Sequence, residues 1–373
     1  MAYEAFENAG ITTEELWGSK TGVYVGQWAS DYHEILSRDT QYPPTYQTTG
    51  IGPAISSNRI SYYFNLHGPS FTVDTGCSSS FVALHAAVQS LRTGETDMGF
   101  VGGVNLLLDP QRYTYQSRLR MFSHEGRSFA FDHRANGYGR GEGCTGVVLK
   151  PLTAALRDGN HVRAVIRNVV VNQDGRTNGI SVPSGRAQEQ AIRRAYGEAG
   201  LELHADYVEA HGTGTALGDP IEVQAIAAAL SVGRSTENAL PIGSIKANIG
   251  HTESAAGLAG LVKAILMLEK GAIPPQANFE KANDKILFAD WGIRVRSAVP
   301  GVELPDPGAN HHCTTRCLCH WSRAHYLGSQ SIGTLAISSP PFAGGLRGML
   351  DWFADRSPIT QLRLRRHKRA CCS

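Results

Sequence analysis

Within residues 70–95, SFTVDTGCSSSFVALHAAVQSLRTGE, the chain changes from strand to helix around a single cysteine. Ser70 to Thr75 alternates and carries β-branched residues, which reads as a strand. Gly76 permits a sharp turn. From Ser78 onward Phe81, Val82, Leu84, Val88 and Leu91 recur at helical spacing until Gly94 stops the run. Cys77 is thereby predicted at a helix N-terminus, where unpaired N–H groups and the dipole favour the thiolate and lower the thiol pKa.

Two further segments repeat the pattern with histidine at the turn. In ADYVEAHGTGTALGDPIEVQAIAAAL a short strand ends at His211 and enters a glycine-rich loop. Asp219, Pro220 and Glu222 then read as a cap, a first-turn proline and a carboxylate three residues after the cap. In LPIGSIKANIGHTESAAGLAGLVKAILMLEKG a strand carries Lys246, Gly250 turns the chain and His251 follows. Thr252 is placed to cap the next helix, which Gly271 closes.

One cysteine and two histidines at such turns suit acyl transfer. A thiolate can attack a thioester and hold the acyl group covalently. Two imidazoles can hydrogen-bond a second substrate's carbonyl and stabilise the enolate left when it loses CO2. Lys246 is placed to set local charge or to pair with Glu253.

Strands predicted at 22–26, 99–107, 146–149 and 162–171 alternate with helices such as 184–200, giving an α/β architecture. Asp132, before the glycine block 137–143, and Glu142, within it, read as structural. With 373 residues, 42% of them apolar and 18% charged, the chain can bury a large core. A net charge of +2 offers no electrostatic argument for nucleic acid or a membrane surface. The most apolar helix, 255–268, is too short to span a bilayer and contains Lys263. The opening MAYEAFENAG is no signal peptide, and only Cys77 and Cys144 precede residue 300, so the chain reads as a cytoplasmic, thiol-bearing enzyme.

VDTGCSSS, EAHGTGT and KANIGHTESAAG closely resemble the three active-site blocks of the β-ketoacyl synthase family, in the same order. GYGRGEG and VNQDGRTNGISVPS resemble two further blocks, and RSFAFDHRANGYGRGEG is similar to ketosynthase domains of fungal iterative, highly reducing polyketide synthases. The resemblance covers residues 1–300 and implies a thiolase-like fold, two stacked α/β halves layered αβαβα. It implies Cys77 as acyl acceptor, His211 and His251 as the residues that hold and decarboxylate a malonyl unit, and Lys246 as support for the second histidine. It also implies substrates carried on the phosphopantetheine of an acyl carrier protein, no cofactor or metal bound by the domain itself, acyl and malonyl thioesters as ligands, and a homodimer. Thiolase fits less well, because it uses a second cysteine near its C-terminus and Cys144 lies elsewhere.

At both ends the chain departs from the family. The resemblance leads one to expect an N-terminal part with a first core strand, and a NSFGFGGTNAH-type block after residue 300; the chain carries neither. Residues 301–373 hold five of the seven cysteines and nine Lys/Arg against four Asp/Glu, as a frame change or an unspliced intron would produce. This tail is expected to be disordered. Cys313, Cys317, Cys319 and His320 match no standard zinc spacing, and the terminal basic run reads as solvated. Two functions follow as expectations: a decarboxylating condensing enzyme, weakened by its missing ends, or a silent remnant acting only in binding or dimerisation.

Overall fold

Strand β1 (Gly22–Gln27) lies between β2 (Ser70–Val73) and β3 (Gly99–Asn105), all parallel, and β4 (Gly143–Pro151) runs antiparallel to β3. The computed structural model describes residues 1–297 and the segments 316–322, 331–338 and 360–363. After β5 (Ala164–Gln173), a second parallel group follows: β6 (Tyr207–Glu209), β7 (Leu240–Gly243) and β8 (Ile293–Val295).

Alternation along the strands sets up two faces. In β1, Val23 and Val25 pack with Phe6 and Phe64 of the outer helices Ala2–Asn8 and Ile55–Phe64, whereas Tyr24 points the other way. Val101 of β3, with Val147 and Leu149 of β4, shares the Tyr24 face. That face meets the helices Ser79–Thr93 and Ala256–Lys270, whose Phe81, Leu84, Leu258 and Leu261 are fully buried in one core. Tyr207 of β6 joins the same core, while Val208 and Ile242 turn to the outer helices Gly185–Glu198 and Gly218–Leu230. Outer helices therefore flank both groups of strands, and the two central helices are shared between them. This is the αβαβα layering that the resemblance implies.

Three segments of the tail are described as strands. β9 (Arg316–Ser322) pairs with β6, β10 (Ser331–Ser338) lies between β9 and β5, and β11 (Thr360–Arg363) lies between β4 and β5. All the strands thus belong to one sheet of order β2-β1-β3-β4-β11-β5-β10-β9-β6-β7-β8. The cause is backbone pairing: without them β5 and β6 would present rows of unsatisfied N–H and C=O groups. Ile337 of β10 is buried in the core of the central helices. The side chains of Cys313, Cys317, Cys319 and His320 lie outside the described residues.

Three local expectations need correction. Lys246 is not on a strand; β7 ends at Gly243 and Lys246 begins the short helix Lys246–Ile249. Asp219 is not the cap of its helix, because Leu217 holds that place and Asp219 sits one residue inside the Gly218–Leu230 helix. Its buried carboxylate accepts N–H groups of Phe131, Gly214 and Thr215 instead. Thr252 makes no side-chain cap; it precedes a 3-10 turn, Glu253–Ala255, which leads into the helix that Gly271 closes in a left-handed conformation.

Candidate active site

Cys77 lies in a 3-10 turn, Gly76–Ser78, one step before the α-helix that begins at Ser79. The turn is held by its own side chains. Asp74 Oδ1 accepts the Gly76 N–H, Ser79 Oγ accepts the Thr75 N–H and donates to Gly76 O, and Ser78 Oγ donates to Thr75 O. Buried serines thus fix a tight approach and bring Cys77 inside at 8% exposure. Its thiol donates to Glu253 Oε2 at 3.4 Å.

His211 follows β6 by two residues. The carboxylate of Glu222, one turn into its helix, accepts the backbone N–H of His211 at 2.6 Å and of Gly212 at 2.9 Å. On the other side, the carbonyl of His211 accepts Lys246 Nζ at 2.7 Å and Ser244 Oγ at 3.2 Å. Lys246 therefore acts on the first histidine as well as lying near the second. Burial pulls its ammonium down to about 8, against the opposing pull of Glu209, Glu222, Cys77 and Asp219.

His251 is gripped by the glycine block. Its N–H donates to Gly139 O at 2.7 Å, and its carbonyl accepts the Gly141 N–H at 2.9 Å. A Cβ on Gly141 would collide with Ile249 O, and one on Gly250, at φ +72°, would sit 2.8 Å from Arg140 O. His251 Nδ1 accepts the Glu253 N–H at 3.0 Å, which leaves the ring proton on Nε2. Burial holds this imidazole well below its ordinary pKa, and Lys246 and Arg140 add to the effect. It is a neutral donor, its ring 5.4 Å from that of His211 and nearly perpendicular, and 4.8 Å from that of Tyr138.

Glu253 closes the cluster. Its backbone is left-handed, at φ +45°, and its Oε1 pairs with Arg140 Nε at 3.4 Å. Burial pushes its carboxyl up, opposed chiefly by Arg140. The ion partner of Glu253 is thus Arg140 in the glycine block, where sequence reasoning placed Lys246. Cys77, His251 and Glu253 offer S, N and O donor atoms within 4.8 Å of one another, a possible metal set among the described residues. The neighbouring Arg140 and Lys246 charges act against a cation there.

The three predicted turns converge: Cys77, His211, His251, Lys246 and Glu253 occupy one buried cluster. Sequence reasoning passed over Arg140, Tyr138 and the backbone-gripping role of Glu222. It also missed Glu209, whose carboxylate accepts the Ile245 N–H, Lys263 Nζ and Tyr207 OH. A charged residue on an otherwise apolar strand or helix, such as Glu209 or Lys263, was the available signal.

Family models for the β-ketoacyl synthase N-terminal domain and C-terminal domain match residues 1–155 and 163–280. A highly reducing polyketide synthase of Cordyceps militaris is 73% identical over 295 residues, 79% of this chain and 12% of that protein. One of Emericella nidulans is 72% identical over the same share of each. The chain spans about 12% of the length of these curated relatives. Among solved structures, the ketosynthase from module 6 of the bacillaene synthase from Bacillus subtilis 168 matches with a TM-score of 0.79 and 35% identity, covering 91% of this chain and 57% of that one.

Proposed function

This chain belongs to the β-ketoacyl synthase family, and on that premise we propose that its site carries out decarboxylative Claisen condensation in polyketide chain elongation. The convergence of Cys77, His211 and His251 at three strand-to-helix turns is the observation that carries the reading.

Cys77 Sγ attacks the carbonyl of a carrier-bound acyl thioester. The carrier C–S bond breaks, and the thiol proton leaves with the carrier thiol. A malonyl thioester then binds with its thioester oxygen toward the imidazoles. His251 donates through Nε2, the nitrogen left with the proton once Nδ1 accepts from Glu253. The bond to the malonyl carboxylate breaks, CO2 departs, and the electron pair becomes the enolate stabilised by His211 and His251. The enolate carbon attacks the Cys77 acyl carbonyl and expels the thiolate, leaving a β-ketoacyl thioester on the carrier.

Residues 1–300 form the synthase domain in this reading. Its partner is the phosphopantetheine arm of an acyl carrier protein, and no cofactor is bound by the domain itself. A homodimer is supported by β2, an edge strand with Phe71 41% exposed beside exposed Tyr62 and Tyr63 on the Ile55–Phe64 helix. Among the described residues no helix is long and apolar enough to cross a membrane; a cytoplasmic location is part of the proposed reading.

Acyl loading of Cys77, read by intact mass, and CO2 release from malonyl-thioester test the reading. Cys77→Ala should lose loading. His211→Ala and His251→Ala should each slow decarboxylation roughly 100- to 1000-fold with loading spared. Unchanged CO2 release in both histidine variants sinks the assignment.

A further inference from the structure

We propose that Arg140 is a positioning residue for the nucleophile, acting through Glu253 to fix the hydrogen-bond acceptor that takes the Cys77 thiol proton. The inference deepens the condensation reading and rests on it for its biological meaning.

Arg140 follows Tyr138 and Gly139 in the block GYGRGEG. Its side chain is wholly enclosed, and among the described residues Nε, Nη1 and Nη2 find no hydrogen-bond partner. A guanidinium carries five donors, so leaving all of them unmade inside a protein is costly. The compensation is electrostatic. The guanidinium stacks 4.7 Å from the Tyr113 ring centroid and 5.8 Å from that of Phe122, with Nε 3.4 Å from Glu253 Oε1. The other oxygen of the same carboxylate meets Cys77 Sγ. Arg140, Glu253 and Cys77 therefore form one line of contact from the aromatic shell to the nucleophile. Glu253 holds an unfavourable left-handed backbone to complete it, and its N–H fixes the His251 tautomer from the same position.

Both oxygens have separate tasks. A cation on Oε1 keeps the carboxylate charged, so Oε2 can accept the thiol proton as Sγ bonds to the acyl carbon. The proton then passes to the departing carrier sulfur, which restores the carboxylate. Without Arg140, the Cys77–Glu253 pair would have to hold its single negative charge in an apolar enclosure. The other groups facing the pair are Tyr138, neutral His251 and the Lys246 ammonium, which stands toward Cys77 and His251.

Opposite signs follow for the two members of the ion pair. Removing the cation with Arg140→Met should make the thiolate harder to form. Removing the neighbouring negative charge with Glu253→Gln, while the cation stays, should make it easier. The test is the pH profile of Cys77 alkylation by iodoacetamide in the full chain, read by mass spectrometry, with no substrate or carrier present. Arg140→Met should move the midpoint to higher pH and slow labelling at pH 7 roughly tenfold. Arg140→Lys should recover most of the rate, and Glu253→Gln should move the midpoint to lower pH.

Midpoints that stay put, or that move in the same direction in Arg140→Met and Glu253→Gln, overturn the proposal. Should Arg140→Met fail to fold, the profiles of Glu253→Gln and Arg140→Lys still decide: a downward shift in the first with near-native values in the second supports it, and any other pair refutes it. Retained condensation in Cys77→Ala would instead refute the condensation reading and leave these shifts standing.

Discussion

Glu222 grips the backbone of His211: one carboxylate oxygen takes the His211 N–H and the other takes that of Gly212. The first histidine is thus held by a side chain eleven residues downstream, while Lys246 holds its carbonyl from a different turn. An acceptor for its N–H and a donor for its carbonyl, each on a separate element, fix how the imidazole approaches His251.

Glu222→Ala should therefore orphan two buried N–H groups and cost on the order of 2–6 kcal/mol, at about 1–3 for each. Glu222→Gln retains one acceptor and should cost less. Urea unfolding gives the stabilities. Malonyl decarboxylation should fall in both variants while acyl loading of Cys77 changes little, and equal stability of wild type and Glu222→Ala would show the grip to be unimportant.

Cys77 should alkylate faster than Cys144 although Cys77 is buried and Cys144 is exposed. Access alone predicts the reverse order, but burial also pushes the Cys144 thiol up, so the mapped iodoacetamide time course is run across pH to compare the midpoints of the two thiols. Faster labelling of Cys144 counts against the nucleophile assignment.

Gly141→Ala places a methyl group against Ile249 O and pushes the glycine block away from His251. Overpacking of this kind costs about 1–3 kcal/mol. Because the Gly141 N–H holds the His251 carbonyl, decarboxylation should fall more than thermal stability implies. A folded Gly141→Ala protein with native CO2 release would contradict this.

His251 binds its proton less readily in the fold than in the unfolded chain. Its contribution to stability is present in full above the ordinary imidazole value of about 6.5 and is lost as pH falls below it. His251→Gln should lose less stability than wild type between pH 7 and pH 5, measured by urea unfolding. Asp219 works in the other direction: burial raises it to about 6, so its penalty grows as pH rises from about 4 toward 6 and is complete above. Identical pH dependence in wild type and His251→Gln would remove the histidine contribution.

The turns themselves were legible. Cys77, His211 and His251 each stand where a period-two run, glycine and a helical run meet, and those patterns depend only on neighbours in sequence. The α/β class followed from the same local signals, since alternating strands and helices leave few ways to bury both faces, whereas the αβαβα layering was expected only from the family resemblance. What the local pattern could not supply was pairing across distance. Capping rules put Asp219 at a helix start, but the loop before it and Phe131 offered three N–H groups that needed an acceptor more. Lys246 and Glu253 are close in sequence, yet Lys246 reaches His211 and Glu253 reaches Arg140, each on another segment. The tail strands were hidden for a related reason. A short segment without a strand-like sequence pattern becomes a strand when a neighbouring edge pairs with its backbone, and β5 and β6 supply such edges here. Sequence alone determined where Cys77 and the two imidazoles would be presented; tertiary structure decided which buried charge stands beside each, because desolvation makes an unpaired charge too costly to leave to chance.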